Sequence, residues 1–484
     1  MLSKSARHEL RATAVAMAAV LASYGSTLLL ERLAELRIDV VVLSVVLSLT
    51  LSRTQRGAPA ADRLLGLVLL PVAAFAAEGV GTLVARHPDA GDALFVLCVC
   101  ATVWIRRFGP HAARIGTVAV LPLVSILVLQ GPVGAPTGVA HAGWVALVAL
   151  IVAGWVLVVQ VGAWRIGLGE RAWPARRPEP ARQSAPQTAP QPAPGTAGAR
   201  RLRPSTRMAL QMATALGAAF VVGRYAYTAH WTWVVLTAFI VCSGARGRAD
   251  VVHKGVLRGA GAALGTLVAT WIAGDFGPGD RTPVVLIFVV LALATWLRKT
   301  SYAFWAAGVT SVLSLLYGYF GESAPALLRT RLLEILIGAA LGIAASWLVL
   351  PVRTSQVLRR RTADALAALS ELLRTLAAEG PPQPGLLARR QAGFEHSVAQ
   401  LDQLAPALEA KRFLERRLLP APYQADAVDA VRRCVAPTRA LVAFAAAGDP
   451  AQPAQLAAAF GEIDGELRRL SAFFGPVPAA PAGR

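Results

Sequence analysis

The chain has 484 residues, of which 55% are hydrophobic and only 16% are charged. A soluble protein of this length carries more charge, and apolar runs recur from residue 12 to residue 350, so we predict an all-α polytopic membrane protein. The net charge of +20 does not indicate nucleic acid as a partner, because the bases lie in short turns between apolar runs. The four cysteines form no CxxC pair, so neither a disulfide framework nor a metal site is predicted.

Twelve apolar segments are predicted to be membrane helices. The first is interpreted as a helix and not as a signal peptide, because its apolar stretch is long and no A-x-A site with a polar start follows. Several segments are shorter than the ~20 residues that a spanning helix needs, and short segments at matching places in two halves can flank a substrate site. The segments cover roughly 12–30, 38–52, 64–85, 92–105, 112–130, 141–164, 207–223, 231–245, 254–274, 282–297, 301–320 and 331–350.

The charges of the connecting turns predict the orientation of these segments. Bases cluster in alternate turns, whereas the opposite turns hold few bases and several acids. Cytoplasmic loops carry excess Lys and Arg, so both termini are predicted to face the cytoplasm. The clustered bases are Arg53, Arg56 and Arg63; Arg106, Arg107 and Arg114; Arg246, Arg248, Lys254 and Arg258; and Arg298 with Lys299.

Similar turns recur at a fixed distance along the chain. The matched pairs, 192 residues apart, are Trp104 with Trp296, Gly116 with Gly308 and Trp155 with Trp347; Arg53 and Arg246 match at 193. Chance matching of apolar sequence is the alternative, but the charged turns match as well. We therefore predict two six-helix repeats, which insert in the same orientation because six is an even number.

The composition divides the chain into four predicted regions. A Pro- and Ala-rich stretch with no hydrophobic face separates the two repeats and is predicted to be a disordered cytoplasmic linker. After Pro351, charges alternate with Leu and Ala at helical spacing, which predicts a cytoplasmic helical bundle with breaks at "GPPQPG" and "LPAPY" and further helices at 387–418, 424–446 and 453–473. The regions are 1–165, 166–203, 204–353 and 354–484.

The order of features in the second repeat resembles the fusaric acid resistance protein-like family of integral membrane transporters. The features are Arg207, Trp233, Arg258 with Gly261, Tyr302 with Ala303, Thr310, Arg331, Gly338 and Pro351. The resemblance is good over 204–353 and weaker over 7–165, and Ala262 stands where the family often has Thr. The family includes bacterial exporters of aromatic carboxylic acids, which implies a similar transport function here.

Two groups of residues are candidates for the transport function. The substrate-path candidates are Trp233, Arg258, Arg298, Lys299, Tyr302 and Thr310. Their bases can steer an anion or merely anchor the topology, and their aromatic rings can stack on a substrate or form an interfacial belt. The candidates for proton coupling are Glu78 and Glu334, because carboxylates within membrane segments usually face a cavity. The alternative places both near the outer interface, with Glu334 paired to Arg331.

Small residues are predicted to serve helix packing. The sequence "GAGAALG" (259–265) is not a dinucleotide loop, because no strand precedes it. Gly261 and Gly265, four residues apart, instead let a neighbouring helix approach closely, and Gly338 is assigned the same role.

We predict a plasma-membrane exporter of small organic anions, such as aromatic carboxylates, driven by an ion gradient. No Walker A motif, HExxH or catalytic Ser/His/Asp or Cys/His grouping occurs in the sequence, so neither ATP use nor an enzyme is predicted, and no cofactor, catalytic residue or metal ligand is assigned. The alternatives are a passive anion channel and a membrane-anchored scaffold without transport activity. The predicted partners are the anion and the lipid bilayer; homo-oligomerisation and a membrane-fusion partner are left open.

Overall fold

A computed structural model describes most of the chain, and all regular structure in the described part is helical. The predicted linker lies outside the described residues except for its first three positions. The described ranges are 4–36, 39–56, 58–129, 139–168, 204–227, 230–272, 282–319, 325–377, 384–415, 423–447 and 453–474.

Helices lie at all twelve positions where the sequence predicts membrane segments. In the first half they are α1 (Lys4–Ala34), α2 (Asp39–Thr54), α3 (Ala60–Arg86), α4 (Pro88–Trp104), α5 (Pro110–Leu129) and α6 (Val139–Arg165), with a short 3₁₀ turn at Ile105–Phe108. In the second half they are α7 (Pro204–Ala226), α8 (Thr232–Cys242), α9 (Arg248–Ile272), α10 (Thr282–Leu297), α11 (Tyr302–Tyr319) and α12 (Pro325–Leu348).

The described helices include six that are long and apolar enough to cross a membrane: α1, α3, α4 with its 3₁₀ turn, α5, α6 and α12. Shorter apolar helices occur at α2, α8, α10 and α11. The all-helical, multi-pass membrane class is therefore confirmed, whereas twelve spans remain a prediction. Of the four short segments predicted at 38–52, 92–105, 231–245 and 282–297, three do form short helices, α2, α8 and α10. The prediction for 92–105 was wrong, because α4 with its 3₁₀ turn is long enough to cross a membrane.

The membrane helices form one compact unit, which comprises Met1–Ser243 and Lys254–Leu350. In the first half α3 packs against α5 and α6, and α1 packs against α2 and α6; in the second half α8 packs against α7 and α12, and α10 against α11. Helices from different halves also pack together, α4 against α7 and α1 against α10. Phe95 and Phe220 meet edge to face across the α4–α7 contact, with their ring centroids 5.6 Å apart.

The second unit comprises Gly244–His253 and Pro351–Arg484. Its helices are α13 (Thr354–Ala377), α14 (Pro384–Asp402), α15 (Ala405–Glu415), α16 (Gln424–Arg433), α17 (Val435–Ala447) and α18 (Pro453–Phe474). Leu369, Phe394 and Leu401 are almost fully buried in its core.

Two long helices predicted in this unit, at 387–418 and 424–446, are each divided in two. Pro406 lies in the first turn of α15, and Pro437 lies in the first turn of α17. Proline has no N–H to donate and its ring clashes with the preceding turn, so a helix ends before it and a new one begins with it.

Candidate functional site

A cavity of about 230 Å³ opens in the membrane unit beside α1, between the ends of α2, α6 and α10. Five basic side chains line it, Arg53, Arg56, Arg63, Arg298 and Lys299. Their shared charge makes the cavity attractive to a small anion, because positive charge concentrated in a concave, low-dielectric site raises the local concentration of anions.

Four residues that line this cavity each have a buried polar atom. Ser52 Oγ, Arg63 Nε, Gln160 Oε1 and Thr295 Oγ1 make no hydrogen bond to any other described residue. Burying a polar group costs free energy unless it is hydrogen-bonded, and natural structures satisfy nearly all such groups. The wall of the cavity therefore contains polar groups as well as bases, but these four atoms are not themselves exposed to its interior.

Trp305 connects basic side chains from the two halves of the membrane unit. The guanidinium carbon of Arg53 lies 5.3 Å from the centroid of the Trp305 ring, and that of Arg298 lies 4.9 Å from it. Both distances are within the range of cation–π attraction. The Trp305 indole therefore positions two arginine guanidinium groups beside one cavity. Each guanidinium group can donate two parallel N–H bonds, which suit the two oxygens of a planar carboxylate.

Glu9 is the acidic residue among those that line the cavity. Its carboxylate accepts a hydrogen bond from Lys299 Nζ and a longer one, of 3.4 Å, from Arg56 Nη1. The side chain of Glu9 is only 12% exposed, whereas that of Lys299 is 66% exposed. Lys299 thus lies at the open side of the cavity, and Glu9 lies further in.

The predicted substrate-path residues fall into four places, of which three lie on α9, α11 and the turn between α10 and α11. Arg298 and Lys299 line the cavity. Arg258 is fully buried, with 1% of its surface exposed, and lies with Arg298 within electrostatic range of the Tyr302 hydroxyl. Thr310 lies further along α11, where its hydroxyl donates to the Ala306 carbonyl oxygen at 2.9 Å.

Trp233 belongs to a second cluster, which lies between α8 and α12. The Arg331 guanidinium carbon lies 4.5 Å from the centroid of the Trp233 ring. Glu334, one turn further along α12, has no exposed surface, and neither of its carboxylate oxygens forms a hydrogen bond to a described residue. An ionised carboxylate in such a place is costly, so the geometry favours a group that carries a proton.

Glu78 lies on α3 and faces His141 of α6, with 3.9 Å between Glu78 Oε1 and His141 Nε2. His141 precedes Glu334 by 193 residues, the offset at which Arg53 matches Arg246. The two predicted proton-coupling residues therefore lie in different clusters, one in each half. In the described part of the chain, no group of three or more His, Cys, Asp and Glu residues is arranged to hold a metal ion.

The three predicted packing glycines lie where helices approach each other closely. A Cβ atom on Gly261 would come within 2.4 Å of the Ala303 carbonyl oxygen, and one on Gly265 within 2.4 Å of the Ala307 carbonyl oxygen. A Cβ atom on Gly338 would come within 2.4 Å of the Val234 carbonyl oxygen. Side chains at these positions would push α9 away from α11, and α12 away from α8.

Sequence reasoning missed several residues that line or adjoin the cavity. It used Arg53, Arg56 and Arg63 only as markers of topology, and it did not single out Glu9 or Trp305. A signal for Glu9 was present, because it is an acid among the bases that precede the first membrane segment. Gln160 and Thr295 gave no comparable signal, since single polar residues in apolar helices are common.

These features define a multi-pass membrane protein with an open basic cavity. Residues 214–345, which extend from the middle of α7 into α12, match the family model described as fusaric acid resistance protein-like. This match confirms the resemblance over that segment, which is 132 of the 484 residues of the chain. No curated protein and no solved structure gives a significant match to the chain.

Proposed function

We propose that the protein exports small organic anions, such as aromatic carboxylates, across the plasma membrane. The observation that carries this proposal is the cavity lined by five basic side chains. A carboxylate would supply both the negative charge and the hydrogen-bond acceptors that this site needs. An aromatic ring attached to it would find an apolar neighbour in Trp305.

The location of the cavity fits export from the cytoplasm. Its bases belong to turns that the positive-inside rule assigns to the cytoplasmic side, where both termini would also lie. An anion leaving the cytoplasm would therefore meet Lys299 first and then the Arg53–Trp305–Arg298 group. The affinity of the cavity would give the transport cycle its cytoplasmic binding step.

Proton coupling is the proposed driving force. Glu334 is a buried carboxyl with no hydrogen bond to a described residue, and such groups within membrane segments commonly take part in proton relays. Entry of a proton through Glu334, down its own gradient, would supply the free energy for the exit of the anion. Glu78 with His141 offers a second protonatable pair in the first half.

The proposal is tested by transport assays with the purified full-length protein in liposomes. Under an imposed pH gradient, wild-type protein should move benzoate or another carboxylate from a mixed panel. Arg298→Gln should slow this transport at least about tenfold, since a hydrogen bond to a charged group contributes roughly 1.5–3 kcal/mol.

The first half offers a matched control for this variant. Arg107 lies in the corresponding turn after α4, and its guanidinium stacks on Trp104 at 4.0 Å, but it is not among the residues that line the cavity. Arg107→Gln removes the same charge from the same kind of turn and should leave transport near the wild-type rate. Equal losses in both variants would mean that these bases only anchor the topology, and no carboxylate movement at all would refute the export proposal.

The same liposomes discriminate the alternatives. A passive channel would carry a current that follows voltage without dependence on pH, and Glu334→Gln would leave that current intact. A scaffold without transport activity would lose its role when residues 355–484 are deleted, while Arg298→Gln would have no effect on it.

A further inference from the structure

We infer that Glu9 is an internal carboxylate that occupies the anion-binding cavity, and that a transported carboxylate must displace it from Lys299 and Arg56. This inference rests on the proposed function, because it assigns Glu9 the place of the substrate's own charged group. It makes Glu9 a residue that sets the affinity and the selectivity of the site.

The contacts of Glu9 match those expected for a bound carboxylate. One oxygen accepts from Lys299 Nζ and the other accepts from Arg56 Nη1, so the carboxylate uses both oxygens on two separate cations. These cations come from distant parts of the chain, the turn after α2 and the turn after α10, whereas Glu9 belongs to α1. An anionic ligand of the cavity would use the same cations.

The positive charges that line the cavity outnumber the single negative charge of Glu9, so the cavity can bind a further anion. Five bases line the cavity against the single carboxylate of Glu9, with His8 as a further group close to it. Arg53 and Arg298 lie against the Trp305 ring, whereas Glu9 accepts its hydrogen bonds from Lys299 and Arg56. A substrate can therefore engage the Arg53–Trp305–Arg298 group first and then compete with Glu9 for Lys299.

A structural role for Glu9 predicts the opposite result from a competitive role. If Glu9 only ties α1 to the turn after α10, its removal loosens the cavity wall and weakens anion binding. If Glu9 competes with the ligand, its removal strengthens binding. Only protein whose site is free of Glu9 can bind the ligand, so the apparent affinity is the intrinsic affinity multiplied by that free fraction. A site that Glu9 fills about nine-tenths of the time would gain about tenfold in affinity.

The test is calorimetric titration of benzoate into the purified full-length protein. Glu9→Gln should lower the Kd for benzoate about tenfold relative to wild type, and Glu9→Ala should do the same. Glu31→Gln is the matched control, since it removes the same charge near the other end of α1 and should leave the Kd unchanged. Thermal unfolding of each variant shows whether the protein is folded at the temperature of the titration.

The outcomes distinguish a failure of this inference from a failure of the proposed function. An unchanged or higher Kd in both Glu9 variants, with weakened binding in Arg298→Gln, overturns the competitive role and leaves the anion-binding cavity standing. An equal gain in Glu31→Gln also overturns it, because the effect would then be one of net charge. No binding of benzoate or of any other carboxylate of the transport panel by any variant, wild type included, refutes the proposed function and this inference together.

Discussion

Replacing Gly261 by Ala tests the close contact that positions the buried Arg258 near Tyr302. The new Cβ would lie 2.4 Å from the Ala303 carbonyl oxygen and 2.6 Å from the Ala306 Cβ. Ordinary van der Waals contacts of a Cβ atom begin near 3.4 Å. The helices α9 and α11 must therefore move apart locally by about 1 Å. Overpacking of this kind costs about 1–3 kcal/mol, and the better helix propensity of Ala recovers about 0.5–1 kcal/mol of it.

We expect a net loss of up to about 2.5 kcal/mol in stability, and a fall of up to about 4 °C in the thermal midpoint by the scaling of soluble domains. The assay is a thermal scan of the detergent-purified protein followed by tryptophan fluorescence. Gly217→Ala in α7 is the control, because no heavy atom lies within 4 Å of the Cβ that it would add. Equal midpoints for the two variants would refute the reasoning about close helix approach.

Three further predictions concern groups outside this contact. Glu334→Gln should retain benzoate binding but remove the dependence of transport on the pH gradient in liposomes; unchanged dependence would contradict a coupling role. Burial raises the pKa of the Cys434 thiol to about 11, so this residue, 1% exposed, should resist maleimide at pH 8 until the protein unfolds, and rapid native labelling detected by mass spectrometry would contradict its burial. The hydrogen bond from Arg439 lowers the pKa of Glu395 from its ordinary value near 4.5, so that ion pair stabilises the bundle above this value and loses its effect as the pH falls through the lowered pKa. Arg439→Ala should therefore speed hydrogen exchange in α14 at pH 7, by up to about 1 kcal/mol of opening free energy, and this difference should shrink as the pH falls below 4.5; a difference that stays constant with pH would be inconsistent with this pair.

The sequence contained enough information for the helical architecture, because apolar runs and charged turns are local signals. The twelve predicted segments all contain helices, and the close contacts of Gly261 and Gly265 fit the spacing of four residues that predicts them. The breaks before Pro406 and Pro437 were also readable in principle, since proline acts on its own helix. Reading 387–418 and 424–446 as continuous gave too little weight to that local effect.

The cavity could not be derived from local patterns. Glu9, Gln160 and Thr295 are separated by more than a hundred residues from one another, and only the packing of α1 against α6 and α10 brings them to one place. Bases in turns serve topology in most membrane proteins, so their charge alone does not reveal which of them line a site. Arg107 and Lys299 occupy corresponding turns, yet only Lys299 is among the residues that line the cavity.

The central claim is that a basic cavity open to the cytoplasm binds small carboxylates. Its most direct test is a single cysteine introduced as Lys299→Cys, with the four native cysteines replaced by Ser or Ala, and a thiol reagent that does not cross membranes. The account predicts labelling in inside-out vesicles, slowed by benzoate, and no labelling in intact cells. Labelling from outside intact cells, or labelling that benzoate does not slow in a protein that still transports it, would contradict the account.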